Sequence, residues 1–152
     1  MATSDSREVV IEATPAEILD VIADVEATPD WSPQYQKAVI RERYPDGRPK
    51  QVEMTVKAAG LTDKMVIEYT WTDSSVSWTL VSSGQLKAQD AGYTLTPLGD
   101  TDGEKTRVKF DMSIDLSIPM PGFLLKRTLK GGMETATDGL RKQVGKVKKG
   151  GK

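Results

Sequence analysis

Any chemistry in this chain has to come from carboxylates, lysines, tyrosines or bound water, because its 152 residues include no cysteine and no histidine. Disulfides, thiolate nucleophiles, Cys/His metal sites and imidazole proton shuttles are excluded with them. The carboxylates fall in places poorly suited to acid–base work. Glu53, Glu68, Asp111 and Asp115 take the polar phase of alternating segments, and Asp73 and Asp90 fall where turns are expected. None is paired by spacing with another on an apolar face, as general acid–base catalysis requires. Tyr69 and Tyr93 share the apolar phase of their segments, and Gln143 shares the inner face of a long helix. Such residues are more often hydrogen-bonded core polar groups than catalysts. Gly-rich phosphate loops and Walker patterns are absent. Neither a metal nor a cofactor is expected.

The elements that would position these groups follow from periodicity. Residues 6–13 alternate around Val9 and Ile11 as a first strand. Thr14-Pro15-Ala16-Glu17 has the form of a capping box with proline in the first helical turn, and opens a short helix to Ala23. Asp24–Thr28 restarts as a second short turn of helix, limited by Pro29 and Pro33. From residue 34 the period becomes two. Segments 34–44, 49–59, 62–71, 76–80, 86–97 and 105–116 alternate, separated by turn residues such as Pro45-Asp46-Gly47 and Thr72-Asp73-Ser74. Val52, Met54, Val56 and Ala58 share a face, as do Met65, Ile67, Tyr69 and Trp71, then Val76, Trp78 and Leu80, then Val108, Phe110, Met112, Ile114 and Leu116. Leu86 and Ala88 are out of phase with Tyr93 and Leu95, which predicts a bulge near Asp90-Ala91-Gly92. Residues 99–103 are read as a loop. The result is an antiparallel meander of about seven strands with one apolar face that something must cover.

The cover is the C-terminal segment. After Ser117-Ile118-Pro119-Met120-Pro121-Gly122 the pattern is helical to Val147, roughly 25 residues or about 40 Å. Leu125, Leu129, Met133, Ala136, Leu140, Val144 and Val147 fall on one side of this helix. Gly132, Ala136 and Gly139 lie within that face, although each glycine costs about 0.5–1 kcal/mol relative to alanine. Two explanations offset the cost. Either the helix approaches the sheet closely, or a void remains beneath it, walled by Met54, Tyr69, Trp71, Trp78 and Phe110.

The order of elements resembles the START-like helix-grip domains of the SRPBCC superfamily, and within them the polyketide cyclase/dehydrase and coenzyme-Q-binding type. The most specific stretch is Ile22–Tyr35, with Asp24-Val25-Glu26, Pro29, Trp31 and Pro33 in the group's order. Ser77-Trp78-Thr79-Leu80 and the Ile118–Gly122 junction are similar to small actinobacterial members. Thr28 departs from the pattern, standing where an aromatic is common, and Trp31 is expected to take over its packing. The resemblance implies an α+β helix-grip (Bet v 1-like/START-like) fold, two short helices after the first strand, and a cavity between sheet and last helix for a lipid, polyketide or quinone. The Ile22–Tyr35 stretch would close one end of it. The expected lining is Met54, Val56, Ile67, Tyr69, Trp71, Trp78, Leu80, Tyr93, Leu95, Phe110 and Met112 from the sheet, and Leu125, Leu129, Gly132, Met133, Ala136, Gly139 and Leu140 from the helix. Carrier or sensor of an apolar small molecule is the reading these residues favour. A polyketide cyclase or aromatase is the alternative.

The remaining expectations concern surroundings. Residues 1–148 are read as one ligand-binding domain and 149–152 as a disordered basic tail. The net charge of −1 hides an acidic N-terminal region, with eight acids against Arg7 in residues 1–30, and a basic C-terminal one from Lys126 onward. That tail is either a solvated helix end or a contact for RNA, a ribosome or an anionic surface; no DNA partner is expected. Met120, Phe123, Leu124 and Leu125 beside Lys126, Arg127 and Lys130 suit transient membrane contact, or simply cap the core. Met1–Ser6 has neither a basic n-region nor an apolar stretch, which points to the cytoplasm.

Overall fold

Strand β1 (Thr3–Ile11) passes into helix α1 (Pro15–Ala23) through a capping box at Thr14. Thr14 Oγ1 accepts from Glu17 N at 3.1 Å, and Glu17 Oε1 accepts from Thr14 N at 2.9 Å. The exchange satisfies two backbone donors that the helix start leaves without partners. A single 3₁₀ turn, Val25–Ala27, then leads to α2 (Thr28–Trp31). Pro29 sits in the first turn of α2, where its missing N–H costs nothing, so the helix runs past it to Trp31. These elements come from a computed structural model that describes residues 3–58, 60–99, 105–117 and 119–148. The expected tail at 149–152 and most of the expected loop at 99–103 lie outside the described residues.

Six strands follow: β2 (Tyr35–Arg43), β3 (Pro49–Ala58), β4 (Leu61–Trp71), β5 (Ser75–Ser83), β6 (Leu86–Pro97) and β7 (Thr106–Leu116). They form one antiparallel sheet in the order β1-β7-β6-β5-β4-β3-β2. Every pair from β2 to β7 is a hairpin between sequence neighbours, and only β1 is brought in from a distance. Alternation places Val52, Met54, Met65, Ile67, Tyr69, Val76, Trp78, Tyr93, Leu95, Val108 and Phe110 on the buried face.

Strand β6 corrects the expected bulge. Pairing runs without interruption through Asp90, Ala91 and Gly92 on both sides. The irregularity falls between Leu86 and Ala88, where Lys87 is the extra residue against β7. Gln89, Ala91, Tyr93 and Leu95 therefore all face inward, and Asp90 is a strand residue, not a turn residue. Gly92 marks a close approach instead: a Cβ there would meet Val76 O and Ser77 Cβ at 3.0 Å.

The β5–β6 ladder stops at Thr79–Asp90. Beyond it β5 stays with β4 and β6 with β7. Asp63 on β4 holds the turn on its own side, accepting a short hydrogen bond from Ser83 Oγ and one from Gly84 N at 2.9 Å. Ser117 N donates to Gln85 O at 2.9 Å, fastening the other side beside the end of β7. The sheet thus parts between β5 and β6 at this end.

The C-terminal helix is continuous but not uniform. Helix α3 (Gly122–Glu134) passes through a π-helical turn, Thr135–Gly139, into α4 (Leu140–Lys148). The wide turn brings Thr137 fully inside. Thr137 Oγ1 donates to Met133 O and accepts from Arg7 Nε, both at 2.9 Å, while Arg7 Nη2 pairs with Asp138 at 2.9 Å. Leu129, Met133, Ala136, Leu140 and Val144 are buried as the spacing predicts. Val147 is 47% exposed, against expectation, because the helix has run past the core by then; Lys146 and Lys148 are exposed beside it. Among the described residues no helix is long and apolar enough to cross a membrane.

Candidate functional site: an apolar cavity under the last helix

Between the buried face of the sheet and the C-terminal helix lies a cavity of about 170 Å³. Strands β3 and β4 contribute Met54, Val56, Met65, Ile67 and Tyr69. Strands β5 to β7 contribute Trp78, Leu86, Gln89, Tyr93, Phe110, Met112 and Ile114. The helix supplies Thr128, Leu129, Gly132 and Ala136, and the stretch from α1 to β2 supplies Ile22, Thr28, Trp31, Ser32, Gln34 and Tyr35. No charged side chain is among them. A larger depression of about 680 Å³, across Ser4, Ser6, Ser75, Ser77 and Asp111, is an open groove on the sheet's outer face.

Eleven of the expected residues reach this space: Met54, Val56, Ile67, Tyr69, Trp78, Tyr93, Phe110, Met112, Leu129, Gly132 and Ala136. Seven do not. Trp71 stands at the far end, its Nε1 donating to Pro49 O at 2.8 Å and its ring stacked under Arg48. Met133, Leu140 and Leu95 are consumed by the solid part of the core. Leu80 and Leu125 are half-buried away from the void.

Gly139 is the seventh, and it separates the two explanations offered for the helix glycines. A Cβ on Gly139 would lie 2.5 Å from Trp31 O, so this glycine exists for close approach, to α2 and not to a strand. A Cβ on Gly132 would meet only Gln34 Nε2, at 3.6 Å, and Gly132 borders the void.

The stretch from α2 into β2 forms a complete wall, and a polar clasp holds it to the helix. Gln34 Nε2 donates to Thr135 Oγ1 at 2.8 Å, Ser32 Oγ donates to Gln34 Oε1 at 3.1 Å, and Ser32 and Thr135 hydroxyls lie 3.3 Å apart. Trp31 packs here against the core, in the role expected of it beside Thr28.

Tyr69 and Tyr93 are each 3% exposed. Burial pushes both phenols well above their ordinary range, and the neighbouring Tyr35 hydroxyl adds to the shift. Tyr93 Oη is committed to structure, donating to Ala136 O at 2.8 Å inside the π turn. Phenols so shifted stay protonated at neutral pH. With no carboxylate or amine in the wall, the cavity can hold an apolar guest and donate hydrogen bonds, but it contains no group poised to remove a proton.

Periodicity misses the other eleven lining residues. Met65 and Ile114 are already on the right faces. Gln89 becomes visible only once the extra residue in β6 moves to Lys87. The polar wall residues carry no periodic signal at all.

Comparison with known proteins agrees with this geometry. A START superfamily protein from Mycobacterium smegmatis superposes with a TM-score of 0.83 at 23% identity, over 95% of this chain and 98% of that one. An aromatase/cyclase from a Streptomyces species superposes at 0.79 with 12% identity, over 96% and 95%. A protein from Thermus thermophilus superposes at 0.75 with 20% identity, over 93% and 97%. At these identities the likeness establishes the helix-grip fold. No match is found among curated proteins. The family model for polyketide cyclase / dehydrase and lipid transport matches residues 3–145, and the chain belongs to that family.

Proposed function

We propose that this protein is a cytoplasmic carrier or sensor of an apolar small molecule held between the sheet and α3. The observation that supports it is a partly open space lined mainly by apolar and aromatic side chains with no ionised group. The volume sets the scale. An apolar cavity of about 150 Å³ accepts benzene, whereas drug-sized ligands occupy roughly 300–1,000 Å³. The space as it stands suits a single substituted ring. A polyketide or quinone requires the walls to yield, and Met54, Met65 and Met112 are unbranched side chains able to do so.

Extraction and mass spectrometry of protein purified from its source, together with titration of an environment-sensitive apolar dye, test this reading. Gly132→Leu places an isobutyl group in the void and is expected to lower uptake at least tenfold while the thermal transition persists. Undiminished uptake by that variant would refute it. The exposed Phe123, 68% accessible beside Lys126, Arg127 and Lys130, supports transfer at an anionic membrane; co-sedimentation with phosphatidylserine vesicles that Phe123→Ser leaves unchanged would exclude it.

The second reading is a cyclase, since a shaped cavity can fold a polyketide without a strong base. The aromatase/cyclase with the same fold favours it. Turnover of a poly-β-keto thioester, lost in Tyr69→Phe, is the result that would establish it.

A further inference from the structure

Among the described residues two buried side-chain polar atoms have no hydrogen-bond partner, Trp31 Nε1 and Gln89 Oε1, and both residues line the cavity. Gln89 is the more informative. Its side chain is 6% exposed, and it faces inward beside Ile114 of β7. It lies one residue beyond the last β5–β6 pair, at the end where the two strands part. Its lining neighbours Leu86, Met112 and Ile114 offer no strong hydrogen-bonding group; in the α2–β2 wall Ser32 and Gln34 already bond each other and Thr135, and Trp31 Nε1, itself unpaired, makes no bond to Gln89.

A buried amide acceptor without a donor carries its full desolvation cost. Leucine at the same inward position would avoid that cost, as Leu95 does in the same strand. A bound water would need two to four polar partners to settle there. We propose that Gln89 Oε1 accepts a hydrogen bond from a hydroxyl of the ligand, so that the cavity selects hydroxylated apolar ring compounds, phenols in particular, over plain hydrocarbons. The hydroxyl points to the parting of β5 and β6, and the apolar body lies against Trp78, Phe110 and Ala136. This inference rests on the cavity being a binding site, and its test separates the two.

Isothermal titration of 4-propylphenol and propylbenzene into the wild type and Gln89→Met gives the answer. Methionine keeps the length and unbranched shape of glutamine and removes its acceptor. The preference for phenol over hydrocarbon is expected to fall about tenfold in the variant, with propylbenzene binding retained. An unchanged preference would overturn the assignment while leaving the cavity reading intact. Binding of neither compound to the wild type would overturn both. A measurement on the wild type alone covers a variant that does not fold: 4-propylanisole, which keeps the oxygen but has no O–H, is expected to bind about tenfold more weakly than the phenol. Equal binding of ether and phenol would refute the proposal.

Discussion

Alanine at Gly139 and at Gly145 is expected to change stability in opposite directions, and the structure gives the size of each effect. Gly145 has nothing within 4 Å of where its Cβ would stand, so alanine there gains helix propensity alone, about 0.5–1 kcal/mol. At Gly139 the new Cβ would lie 2.5 Å from Trp31 O, when ordinary contact begins near 3.4 Å. The α2 backbone must withdraw by the difference, 0.9 Å. It is poorly able to, because Ser32 N bonds Thr28 O at 2.9 Å and the clasp through Gln34 ties the turn to Thr135. Forcing a well-packed contact apart costs about 1–3 kcal/mol, and a clash this short against backbone falls in the upper part of that range, about 2–3 kcal/mol, which exceeds the propensity gain by about 1–2.5 kcal/mol. Gly139→Ala should therefore melt roughly 2–10 °C lower than the wild type, and Gly145→Ala about 1–4 °C higher, at the 2–4 °C per kcal/mol typical of a chain this size. Differential scanning calorimetry resolves both shifts. A Gly139→Ala protein as stable as the wild type would show that the helix and α2 are not in intimate contact.

Alkaline pH tests the buried phenols. The native pKa values of Tyr69 and Tyr93 lie above the unfolded value near 10, so above pH 10 the unfolded chain binds fewer protons than the native one and stability falls as pH rises. Their contribution is fully present below pH 10 and is lost at about 3 kcal/mol per pH unit above it, while the two groups remain neutral in the native state. Difference absorbance of tyrosinate should accordingly rise together with the loss of far-ultraviolet circular dichroism; titration of all four tyrosines in a protein that stays folded would contradict the assigned burial. Tyr93→Phe removes the donor to Ala136 O and should cost about 1–3 kcal/mol in urea unfolding, with the loss of amide protection concentrated at 135–140.

Most of the scaffold was legible because it is local. Alternation such as Met65-Ile67-Tyr69 and Val108-Phe110-Met112 places a face without reference to anything distant, and the Thr14–Glu17 box marks its helix within four residues. Half of the cavity wall was legible for the same reason. The failures share a cause as well. The phase of β6 depends on where one residue is inserted, and Gly92 imitates a bulge site that Lys87 in fact occupies, because glycine in a strand has two uses, bulge and close approach. The π turn has no sequence signature: Thr135–Gly139 contains no proline, and its evidence is the buried Thr137 and the Arg7 that reaches it from a strand about 130 residues earlier. The wall from Thr28 to Tyr35 is irregular chain whose side-chain directions are fixed by the clasp and not by any period.

The pairing of β1 with β7 also sets an order of events during synthesis. Strands β2 to β7 can zip as successive hairpins while the chain emerges, each closing a short loop. Thr3–Ile11, made before the other six strands, has no partner until Thr106–Leu116 has been added. Until then its apolar residues are unprotected, and β7 offers a bare edge as soon as it forms. Of these seven strands the earliest made is thus among the last to be fixed in place, and removal of β1 would leave the finished sheet permanently in that unguarded intermediate form, prone to pair with a second copy of itself.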